Sequence, residues 1–231
     1  MAGYLHTILF GFYPYIALAV LVVGSIIRYD REPYTWRSGS SQLLRRKQLI
    51  MGSVLFHLGV LVVFFGHLVG LLTPIWIFDA IGIGHGFKQL MAMIVGGVAG
   101  LLAFAGASLL LHRRLFDARV RAASTFADTA VILLLWLQLA LGLMTIPISA
   151  GHLDGEEMIR FMNWAQGIFT FDTNAAGYIA DTHPIFKLHL FLGLTIFVVF
   201  PFTRLVHMLS APVRYIWRPG YQVVRSRQPA E

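Results

Sequence analysis

The chain has 231 residues, no cysteine and a formal net charge of +7. Hydrophobic residues make up 57% of it and charged residues 13%, against roughly 45–50% and about 25% in a soluble domain. That balance excludes an ordinary soluble domain, a disordered chain and a fibrous repeat, and it points to a protein solvated by lipid. The lack of Cys also excludes disulfides, thiolate-held iron–sulfur clusters and covalent CxxCH haem attachment.

In chain order, five apolar runs are long enough to span a bilayer: about 4–27, 50–72, 88–111, 126–147 and 185–209. The first is too long for a signal-peptide core, and no A-x-A site closes it. Continuous apolar runs exclude a membrane barrel, whose strands alternate. The expected fold is therefore an all-α membrane protein of five transmembrane helices. It forms a single integral-membrane domain over 1–231 with a cytoplasmic tail at 210–231. Five is odd, so the termini lie on opposite sides. The segment after the first run holds Arg28, Arg31, Arg37, Arg45, Arg46 and Lys47. Arg113, Arg114, Arg119 and Arg121 follow the third, and Arg204, Arg214, Arg218, Arg225 and Arg227 close the chain. Together these are 15 of the 18 basic residues, and the other side keeps only Lys88, Arg160 and Lys187. The bias places the N-terminus outside (periplasmic) and the C-terminus in the cytoplasm, in a bacterial cytoplasmic (inner) membrane. The positive charge is thus a topological signal, and no nucleic acid is expected as partner.

The longest outer connection, 148–184, contains Glu156–Phe171, where apolar and charged residues mix. The pattern predicts a short helix lying on the outer surface. On the inner side, residues 28–47 carry Tyr34 and Trp36 among polar residues, as a docking surface for a soluble partner or an interfacial anchor.

Nine histidines are present: His6, His85, His112, His152 and His183 fall at span ends or in loops, whereas His57 and His67 lie well inside the second run and His189 and His207 inside the fifth. Ionisable groups within a span are costly and usually functional. The two runs are antiparallel, so His67 and His189 share the outer half and His57 and His207 the inner half. One histidine from each helix at each level suits two stacked haems, each held by two neutral imidazoles. The spacings are unequal. Ten residues rise about 15 Å and eighteen about 27 Å, and ten leave the second ring about 80° round the helix. Tilt or kinking must absorb the difference, and Pro201, between the second pair, breaks the helix ladder there.

Gly59, Gly66, Gly70 and Gly193 lie near these histidines, either to admit a flat macrocycle or to pack helices. Gly96 and Gly100 read as packing. Arg114 and Arg204 are inner-side candidates for haem propionates.

These residues carry a family resemblance. YPYIA at Tyr13–Ala17, RYD at Arg28–Asp30, YTWR at Tyr34–Arg37 and LFHLGVLVVFFGH at Leu55–His67 all resemble the gamma subunit of membrane-bound respiratory nitrate reductase, a di-haem cytochrome b. So do LLTP at Leu71–Pro74, KQLMAM at Lys88–Met93, RRLF at Arg113–Phe116, RVRA at Arg119–Ala122, TIP at Thr145–Pro147, KLHL at Lys187–Leu190 and PFTRLVH at Pro201–His207. The resemblance implies His67 and His189 as axial ligands of an outer, distal haem b. It implies His57 and His207 as those of an inner, proximal haem b. It places the quinol-site lysine at Lys88, beside Gly66 and Gly70, whereas position alone would make Lys88 a snorkelling anchor. The implied enzyme is a quinol:nitrate oxidoreductase. This subunit would oxidise quinol, anchor the complex, and pass electrons to a cytoplasmic iron–sulfur subunit and a molybdenum catalytic subunit. Two alternatives from the histidine pattern are a di-haem b subunit of another respiratory complex (hydrogenase, formate or sulfur-compound oxidoreductase) and a haem-free anchor or transporter.

Overall fold

The computed structural model describes residues 2–37, 44–210 and Trp217. Among them every regular element is helical and no strand forms. Five helices are long and apolar enough to cross a membrane: α1 (Gly3–Arg31), α2 (Arg46–Leu72), α3 (His85–Phe116), α4 (Phe126–Ser149) and, after the shorter α5 (Glu156–Phe169), α6 (Pro184–Phe202). The tail expected at 210–231 lies outside the described residues apart from Ser210 and Trp217.

Local chemistry accounts for the helix ends. Thr125 and Asp128 form a reciprocal capping box at the start of α4, satisfying orphan N–H groups at both positions. Pro184 opens α6, and the His183 Nδ1 accepts the Ile185 N–H at 3.2 Å. Thr73 turns extended just before Pro74 and ends α2. Within α1 the turn Ile8–Phe12 is π-helical. Pro14 has no N–H to offer the carbonyl of Phe10, and the Trp164 indole donates to that carbonyl instead, at 2.9 Å.

The helices pack in the order α2, α3, α4, α6, α1. The seam between α2 and α3 is the most extensive and is made by glycines. A Cβ on Gly59 would come within 2.5 Å of the Ala103 nitrogen, and one on Gly106 within 2.7 Å of the Gly52 carbonyl oxygen. Gly59 is therefore a packing residue, and of the glycines assigned to packing Gly100 meets Leu143 while Gly96 meets nothing within 4 Å. No comparable seam joins α2 to α6 or α1 among the described residues. The bundle is open along that side.

Two expectations change. The apolar face of α5 does not lie in the lipid interface: Met162, Trp164, Ala165, Gly167 and Ile168 are buried, and Trp164, Ala165 and Ile168 share a core with Phe10, Ala17, Ala176, Ile179 and Leu194. Protein rather than lipid covers that face, because the 3₁₀ turn Ala175–Ile179 folds back onto it. Gln166 Nε2 donates to the carbonyls of Leu71 and Thr73, both at 3.0 Å, and so binds α5 to the free end of α2. Gly155, at φ 83°, starts the helix, where a Cβ would also strike His85. The second change concerns the last span. Its α-helix stops at Val199, not near Leu209, and a 3₁₀ turn follows over Phe200–Phe202. Thr203 is extended, and Arg204–Ser210 continues as a separate 3₁₀ helix. Pro201 cannot donate to an α-helical ladder, so the ladder breaks there, as the sequence leads one to expect, and the span ends short of Leu209.

Candidate functional site

The open side of the bundle is where His57, His67, His189 and His207 gather, the last of them in the 3₁₀ helix that follows α6. Little of α2 is buried within the protein, so most of its surface faces lipid and this opening. The rings of His67 (α2) and His189 (α6) have centroids 6.2 Å apart. The rings of His57 (α2) and His207 (after the break) are also 6.2 Å apart. A metal–imidazole bond of about 2.0 Å on each side, with each ring centre roughly 1.1 Å beyond its nitrogen, gives about 6.2 Å between ring centres across one metal ion. Both separations therefore fit one iron held between two imidazoles.

Hydrogen bonds at the far ring nitrogens support the same reading. Nδ1 of His57 lies 2.7 Å from the Ser53 carbonyl oxygen, that of His67 2.8 Å from Val63, and that of His207 2.5 Å from Arg204. An Nδ1–H donated to a backbone carbonyl leaves Nε2 as the free, basic nitrogen aimed away from its own helix. His189 differs. Its Nδ1 is buried without a partner, and its Nε2 lies 3.4 Å from the Gln138 amide nitrogen. Gly142 lies under the ring, where a Cβ would meet Cε1 at 3.0 Å. Among the described residues no three His, Asp or Glu side chains converge as a metal site. Paired imidazoles suit haem, whose macrocycle supplies the other iron ligands.

Three of the other histidines have structural contacts. His6 bonds the Ala176 carbonyl at 2.8 Å, His85 lies 3.2 Å from Asp79, and His183 caps α6.

The glycines near the histidines divide into two kinds. A Cβ at Gly66 or Gly70 would meet nothing within 4 Å, so open space faces them. Gly193 instead sits 3.1 Å, at its notional Cβ, from the Gln138 amide.

Lys88 lies one turn into α3 and is only 8% exposed. Its ammonium is caged rather than snorkelling. It donates to the Gly70 carbonyl at 2.8 Å and to Met162 Sδ at 2.8 Å, and lies 3.7 Å from the centre of the Phe78 ring. Lys88 thus ties three elements to one point beside Gly70. Met162 and Phe78 carry no sequence signal of this role, because an apolar residue in an apolar run is indistinguishable from core.

Arg114 and Arg204 converge on one carboxylate. Arg204 donates to Asp128 through Nε at 2.8 Å and Nη2 at 2.6 Å, and Arg114 Nη1 lies 3.5 Å from the same group. Two guanidinium groups share one carboxylate, leaving net positive charge there. Arg114 Nη1 is buried without a hydrogen-bond partner, which suits a further anion. Asp128 was missed in the sequence, although it is the only acidic residue inside the five apolar runs.

Comparison with known proteins agrees with these observations over nearly the whole chain. A family profile described as "Nitrate reductase gamma subunit" matches residues 6–227. The chain is 50% identical to the respiratory nitrate reductase 1 gamma chain of Escherichia coli (strain K12), covering 97% of this chain and 99% of that one. It is 48% identical to the respiratory nitrate reductase 2 gamma chain of the same organism, over 99% and 100%. It is 36% identical to the nitrate reductase gamma chain of Bacillus subtilis (strain 168), over 95% and 98%.

Proposed function

The chain belongs to the nitrate reductase gamma subunit family, and from that premise we propose that it is the quinol-oxidising, di-haem b membrane subunit of a respiratory nitrate reductase. It is a multi-pass membrane protein. The observation that carries the reading is the pair of histidine couples, each with ring centres 6.2 Å apart, on the open side of the bundle. His67 and His189 hold the outer haem b, and His57 and His207 the inner one. Bound there, haem b supplies a one-electron carrier at each level of the membrane. The N-terminus lies in the periplasm and the C-terminus in the cytoplasm, as the basic residues favour.

At the outer level Lys88 receives the quinol. A thioether is a weak acceptor, so a quinol oxygen displaces Met162 Sδ from Nζ while the Gly70 carbonyl keeps its bond. The ammonium then donates to that oxygen and stabilises the negative charge left as its proton departs. Gly66 and Gly70 leave the adjoining space free. Arg114 and Arg204 bind haem propionates on the inner side, with Asp128 holding both guanidinium groups in place. The protons leave outside. The electrons go to a cytoplasmic iron–sulfur subunit, and from it to the molybdenum subunit that reduces nitrate. Inward movement of an electron costs about 2.3 kcal/mol per 100 mV of membrane potential, so the reaction conserves energy.

Reduced-minus-oxidised spectra of membranes containing the complex test the haem reading. Two spectrally separate b-type centres are expected. His67→Ala and His189→Ala should each remove the same centre, and His57→Ala and His207→Ala the other. Absence of an α-band change on dithionite reduction would leave a haem-free membrane anchor.

A further inference from the structure

The break after α6 leaves backbone carbonyls without helical partners, and one side chain from α1 collects two of them. Arg28 Nη1 donates to the Pro201 carbonyl at 2.7 Å and to the Thr203 carbonyl at 2.8 Å. Its other nitrogens hold the inner loop: Nη2 donates to the Thr35 carbonyl at 2.9 Å and Nε to Thr35 Oγ1 at 3.3 Å. Thr35 in turn donates to the Glu32 carbonyl at 2.9 Å, which closes the 3₁₀ turn of Pro33–Thr35. The neighbouring Trp36 completes the clamp. Its indole donates to Ser210 Oγ at 2.5 Å, its ring meets Tyr29 edge-on at 5.4 Å, and it packs on Val131, Phe200, Leu205 and Val206. One turn earlier in α1, Gly24 lets the helix close on the Pro201 ring: a Cβ there would come within 2.9 Å of Pro201 Cγ.

Between those two anchors, Thr203 and Ser210, lies the 3₁₀ helix that carries His207. This segment has no α-helical continuity with α6, so α6 alone cannot place His207. We propose that Arg28 is a positioning residue for His207: its guanidinium fixes the broken end of α6, with Thr35 and Trp36 as its second hold, and thereby sets the axial imidazole of the inner haem site. Arg28 is otherwise only one of the inner-side cations. A topology signal needs charge alone, whereas this role needs a planar donor fork serving carbonyls on two segments. The proposal rests on the reading of His57 and His207 as haem ligands.

Arg28→Gln, Arg28→Lys and the parent chain, each expressed with its partner subunits, provide the test. Haem per chain is measured, and low-temperature difference spectra and the low-spin electron paramagnetic resonance of each centre are recorded. The outer haem, held by His67 and His189, is the internal control. Arg28→Gln should lose the inner centre or shift its low-spin signal while the outer centre keeps full occupancy and an unchanged signal. Arg28→Lys keeps the charge and loses the fork, so it should remain closer to Arg28→Gln than to the parent. Hydrogen exchange over residues 203–210 should rise several-fold in both variants. An unchanged inner centre in Arg28→Gln would overturn the proposal, and so would equal loss of both centres, which would make Arg28 a general staple of the fold. Full recovery in Arg28→Lys would reduce its role to charge. A parent chain without haem would overturn the haem reading itself, which is a different result from any of these.

Discussion

At the scale of the residue, one cation shows how context changes a role. Lys88 stands where a lysine ordinarily reaches for water, near the start of α3. It is instead enclosed by the Gly70 carbonyl, Met162 Sδ and the Phe78 face. Two of these partners are weak, so the ammonium is poised to exchange one of them for a better acceptor. A charge-assisted hydrogen bond contributes about 1.5–3 kcal/mol, so Lys88→Ala should weaken quinol binding roughly tenfold to hundredfold. Haem content and dithionite reduction should stay at parental levels, because none of the four proposed haem-binding histidines touches Lys88. Rates of quinol-driven haem reduction over a range of quinol concentrations measure the effect. Parental rates at every concentration would return Lys88 to a purely structural tie between α2, α3 and α5.

The elements are held at their ends by side chains whose charge matters. Asp117 closes α3 and caps the short helix Ala118–Ala122, accepting from the N–H groups of Arg119 and Val120, both at 3.0 Å. It also pairs with Arg45 Nε at 2.5 Å, which joins the start of α2 to the end of α3. The Val120 N–H, with Arg45 adding its charge, holds the Asp117 carboxyl below the usual aspartate range. A carboxyl lowered in the folded state stabilises it above the unfolded value, about pH 3.9, and loses that contribution as the pH falls toward the lowered value. Hydrogen exchange at residues 118–122, corrected for intrinsic rates, should therefore accelerate between pH 5 and pH 3. Asp117→Asn should be fast at both pH values. Protection in the parent that does not change with pH would separate the cap from the ionisation of Asp117.

For the whole molecule, the decisive property is the unequal closure of the bundle. Glycine brings α2 and α3 into backbone contact, while α2 and α6 stay apart and the four histidines face one another across that opening. The proposed direction across the membrane rests on the distribution of basic residues. The lack of native Cys makes it readily measurable. A single Cys at Ser124, between α3 and α4, should react with a membrane-impermeant maleimide only after the cytoplasmic side is opened. A single Cys at Asp154, before α5, should react from outside in intact cells. The reverse pattern would invert the topology and place Lys88 and the outer histidines on the cytoplasmic side.

Five spans and the isolation of four histidines in two of them were legible in the sequence, because both depend on residue type along one dimension. Burying an apolar run is a local demand of the bilayer, and a histidine within one stands out wherever the helix finally packs. The equal ring separations were not legible. Spacings of ten and eighteen residues along straight helices do not match, yet both couples meet, with the α-helix of the last span broken at Pro201 and Arg28, from far away in the chain, donating to the Pro201 and Thr203 carbonyls. Nor was it legible which glycines pack and which face open space. Gly59 and Gly66 have the same chemistry seven residues apart, and only the position of α3 distinguishes them. The cage around Lys88 and the sharing of Asp128 by two arginines likewise join residues distant in sequence. Composition and periodicity thus determined that this chain crosses the membrane and marked which side chains are out of place there. Only the tertiary structure decided which of them meet, because a meeting depends on distances between helices, and those are set by packing rather than by any run of sequence.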